Sequence, residues 1–246
     1  MSSEEVSPSQ THQNQYKPLF ILNIMATTII SLGGSLINPG EIDLIFLKKL
    51  KDLVLDYIKK NRLILVCGGG YPARQYQKAV EHFAGTDEDK DWVGIMATRL
   101  NAELVRVIFR DVAYEKVVWN MDEKITTKKN LIIGAGYLPG YTTDHDTTLL
   151  AKKFKADLIV NVSNVDYVYD KDPRKHKDAK KIETISWDAF RKLIGDFKPG
   201  MHVPFDPVAS RYAQNEGMKV AIVNGKDLDN LRKLIEGKPF KGTMIG

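Results

Sequence analysis

Three loops in this sequence hold the residue types and spacings best suited to chemistry. The first is Gly136-Tyr137-Leu138-Pro139-Gly140-Tyr141-Thr142-Thr143-Asp144, which follows the apolar run Leu131-Ile132-Ile133. Two glycines and a proline let it fold tightly, and Thr142, Thr143 and Asp144 are all residue types that cap helix N-termini. A helix start presents unpaired N–H groups and partial positive charge, so an anion is favoured there. The two threonine hydroxyls add donors. Ionised Asp144 can only accept hydrogen bonds; it caps the helix or orients a base or a metal-bound water.

The second loop is Gly68-Gly69-Gly70-Tyr71-Pro72-Ala73-Arg74, directly after Leu63-Ile64-Leu65-Val66-Cys67. Three consecutive glycines carry a large entropic cost, which points to a need for close backbone approach. Arg74 lies about one turn into the following helix and can reach back to a phosphate with two donors. The third loop, Gly33-Gly34-Ser35, leaves its N–H groups unshielded and also suits a phosphate. It lacks the Gly-Lys-Ser/Thr ending of a Walker A loop, and no Gly-x-Gly-x-x-Gly fingerprint occurs there. Asp91 stands at the start of a predicted helix, where it caps that helix or accepts from sugar hydroxyls or a base. Within Asn164-Val165-Asp166-Tyr167-Val168-Tyr169-Asp170-Lys171-Asp172-Pro173, Tyr169 is suited to stacking on a purine. The five histidines are scattered without metal-ligand spacing, so none is assigned to a ligand set.

The elements that must position these loops alternate between strand and helix. Apolar, β-branched runs predict strands at 27–32, 63–67, 116–119, 131–133, 157–162 and 219–223, with an edge strand at 243–245. Helical periodicity predicts helices at 41–60, 72–83, 92–110, 144–153, 187–194, 208–215 and 228–235. The stretches 85–91 and 198–207 are expected to be loops, and 167–181 is charged and irregular. Such alternation argues for an α/β protein with a mainly parallel open sheet covered by helices. Ligands collect at the carboxyl ends of strands in such sheets. The turns at 33–35, 68–70, 134–144 and 163–166 all follow strands. Residues 1–24 are expected to be a flexible N-terminal extension, and 25–246 a single domain.

The 246 residues are 43% hydrophobic, enough for a substantial core, and the formal net charge is +5. No Lys/Arg run is interleaved with aromatics, which argues against nucleic acid as a partner, while a phosphorylated small substrate suits a modest positive bias. Cys67 is the single cysteine. An intrachain disulfide is therefore impossible, in keeping with a reducing cytoplasm. No apolar run approaches the ~20 residues that cross a bilayer, and residues 19–25 are too short and poorly flanked for a signal peptide.

Taken together, five pieces resemble the uridylate (UMP) kinases of the amino acid kinase family. They are Ser31-Leu32-Gly33-Gly34-Ser35, Gly68-Gly69-Gly70-x-x-Ala73-Arg74, Asp91-x-x-Gly94-x-x-Ala97-Thr98-x-x-Asn101-Ala102, Pro139-Gly140-x-Thr142-Thr143-Asp144 and Asn164-Val165-Asp166-x-Val168-Tyr169-x-x-Asp172-Pro173. The resemblance implies transfer of the γ-phosphoryl group of ATP to UMP in pyrimidine nucleotide biosynthesis, with Mg²⁺ bound alongside ATP. Carried over by position, Gly34, Ser35, Gly70 and Arg74 contact ATP phosphates. Ser163, Asn164, Tyr169 and Asp172 line the adenosine pocket. Gly69, Asp91, Tyr137, Leu138, Pro139, Gly140, Tyr141, Thr142 and Thr143 hold UMP. Arg74 and Asp144 are the candidate catalytic residues, and no protein metal ligand is assigned. The implied fold is an open, mainly parallel sheet sandwiched between helix layers, its N-terminal part binding the monophosphate and its C-terminal part ATP. The implied assembly is a cytoplasmic homohexamer.

The chain departs from that pattern at three places. Ser31 stands where many bacterial members carry Lys, Tyr167 replaces a usual Gly, and His145-Asp146-Thr147-Thr148 replaces a run of small residues. Asp146 either adjusts Mg²⁺ or faces solvent. The alternatives to a UMP kinase are a kinase for another small phosphate or acid, and a non-catalytic nucleotide- or oxyanion-binding protein on the same fold. Loss of the glycine turns or of Arg74 favours the last, and all are present here.

Overall fold

The structure, a computed structural model, describes residues 25–173, 175–195 and 203–246. The expected N-terminal extension at 1–24 lies outside the described residues, as do 198–202 of the expected loop at 198–207. In chain order, strand β1 (Thr27–Leu32) is followed by the short helix α1 (Gly34–Ile37) and by α2 (Leu44–Tyr57). Next come β2 (Arg62–Cys67), α3 (Gly70–His82), α4 (Asp87–Ile108), β3 (Leu131–Gly134), α5 (Thr143–Phe154) and β4 (Leu158–Ser163). The two-residue strands β5 (Val168–Tyr169), β6 (Lys181–Ile182) and β7 (Thr184–Ile185) precede α6 (Trp187–Ile194). The chain then runs through α7 (Pro207–Asn215), β8 (Val220–Asn224), α8 (Leu228–Ile235) and β9 (Thr243–Ile245).

Seven of these strands form one sheet in the order β3-β2-β1-β4-β8-β9-β7. The pairs β1–β2, β1–β4, β2–β3 and β4–β8 are parallel, and only β9 runs antiparallel to its neighbour β8. Because the side chains of a strand alternate in direction, each apolar run feeds two cores. Leu63, Leu65 and Cys67 pack on one face with Leu50 and Leu53 of α2, Val105 of α4 and Leu231 of α8. Ile64 and Val66 pack on the other with Leu150 of α5, Phe190 of α6 and Ala209 of α7. The sheet is thus sandwiched between helix layers, as its uninterrupted apolar strands require.

Four local expectations are corrected. The helix expected from 92 begins at Asp87, because Thr86 and Asp89 form a reciprocal capping box that starts it earlier. Asp91 is therefore inside α4 and caps nothing. The run at 116–119 is not a strand; it makes only an isolated bridge from Val118 to Gly134, and Trp119 instead lies beneath Arg99. The stretch 167–181 is not wholly irregular, since β5 and β6 pair antiparallel at its ends. Finally, the helix expected at 41–60 begins only at Leu44, and Ile42 and Ile45, whose apolar character supported it, are exposed.

Phe190 is fully buried where α6 meets the sheet and packs edge-on against Trp187. Replacing so large a side chain leaves a cavity, so Phe190→Ala is expected to cost about 3–5 kcal/mol in urea unfolding. A cost below about 1 kcal/mol is incompatible with this placement of α6.

Candidate active site

The carboxyl ends of β1, β2, β3 and β4 open on one edge of the sheet. Strand order runs one way from β1 to β2 and β3, and the other way from β1 to β4 and β8. The crevice at β1/β4 is therefore the topological switch point, where open α/β sheets take ligands. A cleft of about 870 Å³ lies there. Its walls include Gly34, Gly69, Thr143, Asp144, Ser163, Asn164, Tyr169 and Asp172, eight of the residues singled out from the sequence.

Two glycine turns form one wall. A Cβ at Gly34 would collide with the backbone of Gly68 and Gly70, and one at Gly70 with the carbonyl of Gly34. Gly70 also has φ +65°, a conformation that side chains resist. The first turn is tied to the neighbouring strand by Gly33 N–H, which donates to Val162 O at 3.0 Å. The triple-glycine turn is held from α4 by Asn101, whose amide donates to Gly68 O at 2.8 Å and Gly69 O at 3.1 Å. Asn101 is buried on a helix face of small and apolar residues that is otherwise polar only at Thr98, and that misplaced polarity was the signal in the sequence for its role.

The floor is organised by Asp144. Sequence left open whether this residue caps α5; it does not. Thr142 is the cap, its hydroxyl accepting from His145 N–H at 3.2 Å. Asp144 instead accepts from Ser31 Oγ at 3.1 Å and Asn161 Nδ2 at 2.9 Å through one oxygen, and from Asp206 N–H at 3.1 Å through the other. One carboxylate thus joins β1, β4, α5 and the start of α7. Asn161 and Asp206 escaped the sequence reading. Asn161 interrupts the run Leu158-Ile159-Val160, and Asp206 precedes Pro207, a helix-start signature.

Asp144 retains some solvent access at the cleft floor, but the protein around it strips most of its hydration. That desolvation pushes its pKa up to about 7, against the opposing pull of its hydrogen bonds. Asp146, next but one along α5, is 1% exposed and does not face solvent. Burial pushes it up to about 7 as well. Its Oδ2 accepts from Tyr137 N–H at 3.3 Å.

The other candidates lie around the cleft and not in its lining. Asp91 reaches from α4 to accept Gly140 N–H at 2.7 Å, which brings it to the loop Tyr137–Thr142. Tyr141 packs its ring 4.5 Å from that of His145. Ser35 sits in α1. Arg74 is exposed on the first turns of α3. Among the described residues, no three His, Cys, Asp or Glu side chains converge as a metal site. No helix among them is long and apolar enough to cross a membrane.

Comparison with known proteins bears on this geometry. The family model described as "Amino acid kinase family" matches residues 26–224. A uridylate kinase from Pyrococcus abyssi is 36% identical over 222 residues, covering 88% of this chain and 98% of the relative. One from Methanobrevibacter smithii is 33% identical over 222 residues, covering 88% and 97%. The crystal structure of uridylate kinase from Archaeoglobus fulgidus superposes with a TM-score of 0.78 at 29% identity, over 89% of this chain and 99% of that one. The structure of UMP kinase from Ureaplasma parvum, 18% identical with a TM-score of 0.76, shares the fold.

The burial of Asp146 has a consequence for stability. In the unfolded chain an Asp titrates at about 3.9, so between about pH 4 and 7 the folded protein holds a proton that the unfolded chain has lost. This contribution is complete below about pH 4 and disappears as pH rises through about 7. Asp146→Asn removes the ionisation, so its Tm relative to the parent should rise between pH 5.5 and 8.0. A Tm difference that is the same at both pH values would refute a raised pKa at Asp146.

Proposed function

This chain belongs to the amino acid kinase family, and from that premise we propose that it is a UMP kinase, transferring the γ-phosphoryl group of ATP to UMP to give UDP and ADP. The observation that carries the proposal is the meeting, in one cleft, of two glycine turns and a Thr-Thr-Asp helix start. The 36% identity to a named uridylate kinase supports the choice of acceptor.

In this reading the glycine turns hold ATP phosphates through backbone N–H groups. Asn164, Tyr169 and Asp172 border the adenosine, and the loop Tyr137–Thr143 with Asp91 and Gly69 holds UMP. A phosphate oxygen of UMP attacks the γ-phosphorus in line. A new O–P bond forms, the bond to the β–γ bridging oxygen breaks, and its electron pair leaves with ADP. The nucleophile is already anionic, so no general base is needed. Catalysis then rests on alignment and on charge neutralisation. Arg74 supplies a cation from α3, and the start of α5 adds N–H groups.

Asp144 holds Ser31, Asn161 and Asp206 in register. Burial pushes its carboxyl up to about 7, so near neutrality it presents less than a full negative charge to the phosphates. Mg²⁺ fits as an ion delivered with ATP: Asp144 Oδ2 carries one donor, which leaves it able to accept from a water of the ion's shell. When bound, the ion neutralises charge on the phosphates.

The proposal includes cytoplasmic homohexamers. Supporting assembly, α3 buries none of its residues within the chain, and Trp92, Met96 and Leu100 form an exposed stripe along α4, with Tyr76 and Phe83 exposed nearby.

Coupled ADP release with ATP and Mg²⁺, measured across UMP, CMP, AMP and GMP, is expected to give UMP the highest kcat/KM by at least about tenfold, some 1.4 kcal/mol. Preference for another acceptor, or ATP binding without turnover, rejects the proposal. Arg74→Ala should lower turnover with UMP by an order of magnitude or more; unchanged turnover takes Arg74 out of the site. Light scattering should report a mass several times that of one chain, reduced in a Met96→Glu, Leu100→Glu double variant. An undiminished mass places the interface elsewhere.

A further inference from the structure

Thr98, Arg99 and Asp146 belong to no part of the transfer scheme, yet their polar atoms converge on one short stretch of backbone. Gly136 N–H donates to Thr98 Oγ1 at 2.8 Å. Gly136 O accepts from Arg99 Nε at 3.2 Å, and Tyr137 O accepts from Arg99 Nη2 at 2.9 Å. Tyr137 N–H donates to Asp146 Oδ2 at 3.3 Å. All four backbone polar groups of Gly136 and Tyr137, the second and third residues after β3, are therefore bound by side chains of α4 and α5. The fit is close: a Cβ at Gly136 would lie 2.8 Å from Thr98 Oγ1.

The clamp is itself braced. The Arg99 guanidinium lies 3.9 Å above the ring of Trp119, an arrangement that fixes its plane as well as its charge. Burial lowers the Arg99 pKa, and the nearby Asp146 partly opposes that shift. Asp146 Oδ1 is buried without a hydrogen-bond partner among the described residues. A buried acceptor left unsatisfied is tolerated where the other oxygen does a job that a smaller residue cannot. A turn could be satisfied by water if it needed only to be closed. Here a planar fork and a carboxylate grip it from opposite sides, which leaves its backbone one arrangement.

We propose that Arg99 and Asp146 are positioning residues that set the pose of the loop 136–143, and through it the affinity for the phosphate acceptor. The proposal rests on the reading of that loop as the acceptor site. Arg99 fixes two carbonyls and Asp146 the intervening amide, so Tyr141, Thr142 and Thr143 enter the cleft edge from a fixed starting point. These contacts fall on the loop assigned to the acceptor, so the clamp is expected to act on acceptor binding and to leave ATP binding little changed.

The test combines amide hydrogen exchange with steady-state kinetics on the intact protein. Arg99→Ala is expected to accelerate exchange within 136–141 in the absence of nucleotide. It should raise KM for UMP tenfold or more while KM for ATP stays within twofold. Asp146→Asn keeps one acceptor for Tyr137 N–H and should fall between the parent and Asp146→Ala. If Arg99→Ala does not fold, Arg99→Lys, which keeps the charge and loses the fork, carries the same comparison. Unchanged exchange overturns the proposal. So does faster exchange with an unchanged acceptor KM, or an equal rise in both KM values. If the parent prefers another acceptor, the UMP reading fails on the parent alone, and the variants are titrated with the preferred acceptor under the same criteria.

Discussion

Everything at the cleft depends on how closely two turns approach each other. Gly34 and the Gly68-Gly69-Gly70 segment lie backbone to backbone, with no room for a side chain between them. This contact is possible because β1 and β2 pair in parallel with matched register, Leu32 opposite Cys67, so their ends emerge side by side. Glycine is needed there for two reasons: to admit the neighbouring chain and, at Gly70, to adopt a left-handed backbone. The outcome is a wall of close-packed backbone at the cleft. Its peptide dipoles are fixed in advance, so a charge placed against them demands little reorganisation.

Opposite that wall, a single carboxylate ties the two halves of the sheet together. Asp144 reaches Ser31 on β1, Asn161 on β4 and Asp206 at the head of α7. Each partner is itself buried, so the group sits where stray charge is costly and each bond counts for more than at a surface. A carboxyl that titrates near neutrality can serve this structural role without carrying a full negative charge. Ser31 acts as a donor to that carboxyl and holds the floor together.

The loop beyond β3 solves a different problem. It must be accurate in position yet carries few apolar anchors of its own, since Leu138 and Tyr141 are exposed. Its backbone is instead taken up by side chains from two helices, and Asp91 on α4 secures Gly140 further along. The helix α4 therefore supports both walls, through Asn101 on the triple-glycine turn and through Thr98, Arg99 and Asp91 on the loop. A helix of 22 residues, begun by its capping box and packed along the sheet, is rigid enough for this task.

Sequence by itself determined the architecture and the short-range parts of the site. Uninterrupted apolar runs require a sheet covered on both faces, and glycine clusters and helix starts at strand ends mark the binding edge. These signals are local: each depends on residues within one turn or one strand. Where a local signal was weak or contested, the expectation failed, as at 116–119, whose strand-like residues meet the edge strand β3 only through Val118, and at Thr86, whose capping box moved a helix start. Only the tertiary structure decided what Asp144, Asp146, Arg99, Asn101 and Asn161 do. Their partners are 9 to 113 residues away in the chain, and nothing in composition or periodicity says which distant backbone a polar side chain will meet. That choice is made by sheet order and helix packing, which bring separate segments within hydrogen-bonding distance and exclude the water that would otherwise satisfy them.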